Sequence, residues 1–113
     1  MATSLNTFKS FHATLTTTEQ VLYTTPTNYT SVVLLAQAAN TSTSGADVTF
    51  ISRDGDTSVD TELVDSFLIA PNDAVGLLTG KFVLEEGNSL VALSGTNSVI
   101  KLTISVLETL NES

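Results

Sequence analysis

The segment YTSVVLLAQAAN, Tyr29 to Asn40, is the longest apolar run in the chain. Its length fits either a buried helix or a strand that is covered on both faces. β-branched residues near its start favour a strand, and so does the run of turn formers, NTSTSG, at residues 40–45. We therefore predict a strand here.

Shorter alternating segments flank this run. Phe11, Ala13 and Leu15 alternate with polar residues, and the alternation resumes at residues 21–23 until Pro26, which lacks an N–H, interrupts it. Further strand patterns follow at residues 47–52, 62–69, 74–78, 81–84, 89–93 and 99–106, separated by turn signals. The sequence predicts an all-β fold, a small antiparallel β-sandwich of about eight strands, for which a jelly roll is one topology.

The length of the chain bounds its domain organisation. At 113 residues it fits one domain with a core of its own. No repeat of fixed period and no low-complexity linker divides the sequence. Because the first ten residues are weakly patterned, we predict an N-terminal arm at residues 1–10 and a single β-sandwich domain at residues 11–113.

The composition excludes several classes of partner and site. Four basic residues against twelve acidic ones give a net charge of −8, whereas nucleic acids and anionic membranes require clustered Lys and Arg. The absence of cysteine excludes disulfides and thiolate metal sites. The N-terminal sequence lacks a signal-peptide pattern, and no apolar run approaches the roughly 20 residues that span a bilayer. We expect a soluble, unprocessed protein that binds neither nucleic acid nor membrane.

The acidic stretch RDGDTSVDTELVD, residues 53–65, is similar in part to an EF-hand calcium loop. Oxygen ligands at the required spacing would come from Asp54, Asp56, Ser58, Asp60 and Asp65. The stretch departs from the template at Val59, where the sharp turn needs glycine, and its flanks have strand patterns. A solvated hairpin turn built on Asp54-Gly55 is the favoured interpretation, so we predict no metal and keep the calcium loop as the alternative.

No set of residues predicts catalysis. His12 is the only histidine and lies on the polar side of its predicted strand, and no GxSxG elbow is present. Glu85 and Glu86 are adjacent, so in a strand they would point to opposite faces, and the following Gly87 favours an acidic turn. We predict that the protein is not an enzyme and needs no cofactor.

Five patches of the sequence together resemble a known family. They are VLYTTP at residues 21–26, TSVVLLAQAAN at 30–40, Pro71, GKFVLEEGNSL at 80–90 and ISVLE at 104–108. The pattern resembles small virion proteins of tailed bacteriophages, especially marine cyanophages, and it covers most of residues 21–108. The resemblance implies a short, cysteine-free β-sandwich that attaches to capsids, necks, tails or fibres and does no chemistry. Asn88 departs from it, because many relatives have Asp at that position.

Four aromatic residues in the first third of the chain are candidates for an interface or for the core: Phe8, Phe11, Tyr23 and Tyr29. An open sandwich leaves unpaired strand edges, and only four basic residues are available to guard them. We therefore predict that one edge, or the arm around Phe8 to Phe11, adds to a neighbouring molecule. The expected partners are further copies of the same chain, with a trimer as one candidate, and major capsid or tail proteins.

The function predicted from the resemblance is that of a non-enzymatic virion structural protein, with a capsid decoration or cement protein as the leading form. A tail, neck or fibre component of a phage particle is the first alternative. A calcium- or carbohydrate-binding β-sandwich module is an alternative from a different class. The expected location is the virion.

Overall fold

The computed structural model describes residues 6–111, which are built from strands and turns. The apolar run at residues 29–40 forms a strand, which confirms the prediction for this segment. The nine strands are β1 Asn6–Thr14, β2 Gln20–Thr24, β3 Tyr29–Asn40, β4 Ala46–Arg53, β5 Asp60–Ile69, β6 Ala74–Gly76, β7 Phe82–Leu84, β8 Ser89–Ser94 and β9 Ile100–Leu110.

The strands form two antiparallel sheets. One has the order β1-β9-β3-β6, with β7 pairing the other end of β3, and the second has the order β2-β8-β4-β5. The first strand thus pairs with the last, β2 with β8, β3 with the short strands β6 and β7, and β4 with β5. This nested pairing is the jelly-roll arrangement when β6 and β7 are counted as two halves of one edge strand. The predicted all-β sandwich is confirmed.

Alternation places the core between the sheets. Along β9 the buried residues are every second one from Ile100 to Glu108, as expected for a strand with one face inward. In β3 the buried positions change from odd to even numbers because the register with β9 shifts between Val33 and Leu35. That bulge explains why β3 looks apolar on both faces in the sequence: Leu35 is turned outward.

The core itself is made of aliphatic side chains around one buried phenylalanine. Phe50 of β4 and Leu90 of β8 are completely buried and belong to the same cluster as Val33 of β3 and Ile104 of β9. Both sheets therefore contribute to one core. Truncation of Phe50 to alanine would leave a cavity and cost about 3–5 kcal/mol of unfolding free energy.

The N-terminal boundary differs from the predicted one. β1 begins at Asn6, and residues 6–10 pair with residues 105–109 of β9, so they belong to the sheet and not to an arm. The sequence signal is weak there because an edge strand exposes most of its surface: among residues 6–10 four are exposed and Thr7 is partly buried. Residues 1–5 of the predicted arm lie outside the described residues. Within residues 6–111 there is no helix long and apolar enough to cross a membrane.

Candidate functional site

β1 offers an open, regular sheet edge. It is nine residues long, and its register with β9 runs without interruption from Asn6 opposite Thr109 to Thr14 opposite Lys101. Within residues 6–111 no strand pairs with its other side. An antiparallel partner can therefore be added along residues 8–14 by backbone hydrogen bonds.

The alternation of an antiparallel ladder fixes which groups face the open side. Leu15 donates its N–H to the carbonyl of Ile100 (2.9 Å), which extends the β1–β9 register by one residue. Residues two apart share a direction, so the odd-numbered residues of β1 point their N–H and C=O groups at β9. Four even-numbered residues point theirs the other way, and we call their backbone groups the β1 edge: Phe8, Ser10, His12 and Thr14.

The three other sheet edges carry protective irregularities. β2 has five residues and a register shift between Val21 and Tyr23. β5 has ten residues, but its register with β4 shifts on both sides of Phe50, and Ser66 adopts a left-handed conformation with φ of 49°. β6 and β7 have three residues each. Bulges and short strands disfavour pairing with another chain, so β1 is the edge best suited to it.

A polar cluster lies beneath β1, between the two sheets. We define it as Lys9 of β1, Tyr23 of β2, Ser31 of β3 and Glu108 of β9. Nζ of Lys9 lies 3.2 Å from Oε1 of Glu108, while the Tyr23 hydroxyl donates to Oε2 of Glu108 at 2.5 Å and lies 2.6 Å from Oγ of Ser31. Because the Tyr23 proton goes to Glu108, Ser31 donates to the Tyr23 oxygen. Glu108 is 4% exposed and is satisfied at both carboxylate oxygens.

This cluster connects β1 to β9 of its own sheet through Glu108, and to β2 of the second sheet through Tyr23. Burial, together with the hydrogen bond to Glu108, raises the pKa of Tyr23 to about 12, so the phenol stays protonated and keeps donating at neutral pH. The ring of Phe11 stacks on that of Tyr23 with centroids 5.4 Å apart. An inward-pointing charge on an edge strand is usually a device against aggregation. Here Glu108 neutralises the charge of Lys9, so β1 has no unpaired charge that would prevent another strand from pairing with it.

The four aromatic candidates have different positions. Phe8 is on the outer face of β1 and is 73% exposed, whereas Phe11 is partly buried and packs against the core. Tyr23 is in the polar cluster, and Tyr29 is partly buried at the start of β3, where its N–H donates to the carbonyl of Pro26. The structure thus brings Phe11 and Tyr23 together beneath β1. Of the four, Phe8 has the most surface available to a partner.

The acidic stretch forms the turn between β4 and β5. Asp54 accepts hydrogen bonds from the N–H groups of Asp56 and Thr57, which closes a local turn, and Ser58 adopts φ of 59°. Arg53 binds Asp60 through two nitrogens, at 2.6 and 3.0 Å, and these hydrogen bonds lower the pKa of Asp60.

The remaining candidate calcium ligand lies further along β5. Asp65 follows Asp60 by five residues, so the two carboxylates are separated by about 16 Å of strand. Asp60 is paired with Arg53 instead. Within residues 6–111 no group of three or more His, Cys, Asp or Glu side chains is placed to hold a metal ion.

The same turn packs tightly against the turn before β8. A Cβ atom at Gly55 would lie 2.2 Å from the carbonyl oxygen of Gly87, so only glycine permits this approach. The Gly55 N–H donates to Oδ1 of Asn88 at 2.9 Å. Asn88, the position that departs from the phage-protein pattern, therefore has a structural role as a side-chain acceptor between two turns.

The residues considered for catalysis are dispersed. His12 is exposed on β1 and its ring hydrogen-bonds Oγ1 of Thr103 at 3.2 Å. Glu85 and Glu86 are exposed in the turn between β7 and β8. A shallow depression of about 490 Å³ lies at the far end of β3 and contains one carboxylate, Asp73, among its lining residues. This depression does not combine an acid, a base and a nucleophile.

Sequence reasoning missed three members of the polar cluster: Lys9, Ser31 and Glu108. A signal for Glu108 exists, because it continues the buried series Leu102, Ile104 and Val106 at a spacing of two. A carboxylate at a core-facing strand position requires a partner. The partner could not be assigned, because pairing of Lys9 with Glu108 depends on which strands are neighbours.

Comparison with known proteins gives one likeness of fold. No protein-family model matches the chain, and no curated protein matches it. A solved chain from Bacillus endospore appendages, which are described as a novel family of disulfide-linked pili, superposes with a TM-score of 0.57 over 95% of this chain and 88% of that one. The sequences are 13% identical, so the likeness shows the fold alone. The present chain has no cysteine with which to form such disulfides.

Proposed function

We propose that this protein is a non-enzymatic structural protein that assembles with further copies of itself in a larger particle. The observation that carries the proposal is β1, a nine-residue edge strand with an unbroken register and an open side. The dispersal of His12, Glu85 and Glu86 supports a non-enzymatic role. The likeness of fold to a pilus protein supports assembly as a use to which such a sandwich is put.

The particle that we propose is a phage virion, and the leading role is that of a capsid decoration or cement protein. This finer proposal has its support in the sequence patches between residues 21 and 108 that resemble phage virion proteins. A small sandwich without disulfides also gains stability from association with a shell. A tail, neck or fibre component is the alternative, and the same features support it.

A calcium- or carbohydrate-binding module has less support. The turn that would hold calcium uses Asp54 to bind its own backbone and Asp60 to bind Arg53. The depression near Asp73 is open and has few polar groups that converge. Neither feature favours this function over assembly.

The general proposal is tested by the mass of the purified protein in solution. Light scattering during size-exclusion chromatography, over concentrations from about 10 μM to 1 mM, covers the range expected for an interface built on a strand edge. We expect a mass above the monomer that rises with concentration. A strict monomer of 11.9 kDa throughout would count against self-assembly.

The virion proposal needs a particle. Purified particles produced with and without the gene for this protein can be compared by cryo-electron microscopy and by protein mass spectrometry. Extra density on the head supports a decoration protein, and density on the tail, neck or fibres supports the alternative. Particles that contain none of the protein would refute both.

A further inference from the structure

We infer that two copies of the chain pair antiparallel through residues 8–14 of β1, with Phe11 facing Phe11 of the second copy on a two-fold axis. The inference rests on the proposed function and deepens it, because it names the partner, the surface and the register. This pairing joins two sheets of the order β1-β9-β3-β6 into one continuous sheet. The second copy covers backbone groups that no other strand of residues 6–111 reaches.

Contacts at the two ends of β1 set the length of strand that can pair. At one end Asn6 has contacts of its own, among them a hydrogen bond that its Oδ1 accepts from a threonine of β9. At the other end the carbonyl of Thr16 accepts the N–H of Ser94 in the second sheet at 2.9 Å, so the chain leaves the edge there. Residues 8–14 lie between these two contacts, and their midpoint is Phe11.

The direction of the backbone groups determines which registers can form. The open N–H and C=O groups of β1 belong to its even-numbered residues. In an antiparallel pair of identical strands these residues face even-numbered residues of the second copy, so two facing residue numbers have an even sum. With a sum of 22, Phe8 faces Thr14 and Ser10 faces His12. All four residues of the β1 edge then form hydrogen-bonded pairs in each copy.

The two neighbouring registers pair fewer residues of the β1 edge. A sum of 20 places Thr14 opposite Asn6, which already has contacts of its own. A sum of 24 places Phe8 opposite Thr16, whose carbonyl is already bonded to the second sheet. Three residues of the β1 edge remain paired in either case. Because backbone groups that lose water without gaining a partner are costly, the register with four is favoured.

The inner face of the sheet gives an independent reason for an axis at Phe11. The ring of Phe11 stacks on that of Tyr23 with centroids 5.4 Å apart and is partly buried in the single chain. In the proposed pair the two Phe11 residues occupy a non-hydrogen-bonded position, where facing Cα atoms are about 4.5 Å apart and side chains are closest. Aromatic side chains in facing positions stabilise antiparallel strands. The axis therefore brings two Phe11 rings together, each supported by its own Tyr23.

The charge distribution favours a second copy of this chain as the occupant. Of the twelve acidic residues, one lies in the strands of the five-stranded sheet that contains β1. This residue is Glu108, which is buried and paired with Lys9 of its own chain. In the second sheet, β4 and β5 carry four acidic residues: Asp47, Asp60, Glu62 and Asp65. Two chains with a net charge of −8 therefore approach with least repulsion through β1.

The expected affinity decides the choice of experiment. One pair of strands buries less than the roughly 1,200 Å² of a stable interface, so the isolated dimer is weak, with a dissociation constant of about 1 μM or higher. A covalent trap is therefore the sharpest test. Because the chain has no cysteine, each substitution by cysteine introduces a single thiol. Facing Cα atoms in a hydrogen-bonded pair are about 5.5 Å apart, which is within the range that a disulfide bridges.

We expect an equimolar mixture of Ser10→Cys and His12→Cys to form a covalent heterodimer in a glutathione redox buffer, because these positions face each other. Either variant alone should remain monomeric, since its two cysteines would lie diagonally across the pair with Cα atoms about 9 Å apart. Thr14→Cys, with Cα atoms about 21 Å apart, measures random oxidation. Mass spectrometry distinguishes the heterodimer from either homodimer.

The single variants report the two neighbouring registers. A sum of 20 places residue 10 opposite itself, so Ser10→Cys alone would crosslink. A sum of 24 places residue 12 opposite itself, so His12→Cys alone would crosslink. Crosslinking of either single variant to the same extent as the mixture would overturn the axis at Phe11.

A charge exchange tests the same register without oxidation. Ser10→Lys combined with His12→Asp places opposite charges in both facing pairs and should strengthen self-association about threefold to tenfold at low ionic strength. Ser10→Lys combined with His12→Lys places like charges there and should weaken it by a similar factor. In either neighbouring register the first double variant would face its own like charge, so weaker association of that variant would contradict the inference. Circular dichroism confirms that each variant is folded.

The outcomes separate this inference from the proposed function. If the wild-type chain is a strict monomer up to about 1 mM and the mixture crosslinks no more than Thr14→Cys, both fail. If the wild-type chain associates but the mixture crosslinks no more than Thr14→Cys, the axis at Phe11 fails and the proposed structural function stands. A covalent heterodimer, together with tighter association of the variant with opposite charges, supports both.

Discussion

β1 and β5 are both long strands at a sheet edge, and they differ in the features that decide whether an edge pairs with another chain. β1 keeps one register over nine residues, whereas the register of β5 shifts twice within its pairing to β4. β5 also carries acidic side chains and the left-handed Ser66. Both strands are accessible, since Leu68 of β5 is 67% exposed, so exposure alone does not mark an interface.

Regularity, and not apolar surface, distinguishes the two edges. Phe67 and Leu68 expose as much carbon on β5 as Phe8 does on β1, but they adjoin a bulged stretch whose backbone cannot present an even row of donors and acceptors. A second chain needs that row along its whole length.

Proline distinguishes the two sides of β1. Ala13→Pro removes an N–H that points at β9 and leaves the carbonyl of Leu102 without its donor, so we expect a loss of about 3 kcal/mol in the free energy of unfolding. His12→Pro removes an N–H on the open side and should cost about 1 kcal/mol or less. Urea denaturation of the monomer at low concentration measures both. Equal losses would show that the assigned directions are wrong.

Glu108 should be the most sensitive member of the polar cluster. Glu108→Ala leaves the partly buried Tyr23 hydroxyl without its acceptor and Lys9 without its partner, and we expect a loss of about 2 kcal/mol in the free energy of unfolding. Lys9→Met, which keeps the length of the side chain, should cost about 1 kcal/mol because the ammonium is half exposed.

The control for the cluster is Glu62→Ala, an exposed acid of β5, which should change stability by less than about 0.5 kcal/mol. Urea denaturation at pH 7 compares the three variants. If Glu62→Ala lowered the free energy of unfolding as much as Glu108→Ala, burial and pairing of Glu108 would not explain its contribution to stability.

High pH should weaken the polar cluster, because ionised Tyr23 cannot donate a hydrogen bond to Glu108. The pKa of Tyr23 is raised to about 12 in the folded protein, so its contribution to stability is complete below pH 10 and is lost as the pH rises through 12. Solvent screening around a partly buried side chain reduces this contribution to about 1 kcal/mol. Thermal unfolding at pH 9 and at pH 11.5 should therefore differ more for the wild-type chain than for Tyr23→Phe. An identical fall in the thermal midpoint of both proteins would show that Tyr23 is not the cause of the lower stability at high pH.

Glycine should have opposite effects on the two edges. Ser66→Gly relieves the left-handed backbone of β5, where φ is 49°, and should stabilise the fold by about 0.5 kcal/mol. Ser10→Gly, in a regular strand, should destabilise it by about 0.5 kcal/mol. Thermal unfolding of the two variants beside the wild-type chain gives the signs. Two shifts in the same direction would show that the conformation of Ser66 is not strained.

Calcium should have the smallest effect. Since Asp60 is bound to Arg53 and Asp65 is displaced along β5, we expect about 5 mM calcium to change the thermal midpoint by less than about 1 °C relative to the chelator EGTA. Asp56→Ala provides a matched variant of the turn. A large calcium-dependent rise that Asp56→Ala abolishes would restore the binding module as a function.

The sequence predicts the strands better than it predicts their neighbours. Residues 100–106 alternate between apolar and polar because one face of the strand is buried. This pattern can be recognised in the sequence of a single strand, without knowledge of its neighbours. The strand predicted from the sequence begins at Phe11, five residues after the observed start at Asn6, because a strand at an edge has little buried surface to leave a pattern. The four-residue polar cluster joins positions up to 99 apart, from Lys9 to Glu108, and only the topology brings them together.

The nested pairing also predicts the order in which the strands pair during folding. Asn6 faces Thr109, a separation of 103 positions, so the β1 ladder closes the largest loop among the strands of residues 6–111. We expect pulse-labelled hydrogen exchange to find the amides of Thr7 and Lys9 protected later than those of β4 and β8, and simultaneous protection would exclude this sequence of events. Under the proposed assembly through β1, a nascent chain would complete the strand edge that binds a second copy only after its last strand has been synthesised, so association would follow folding of the whole subunit.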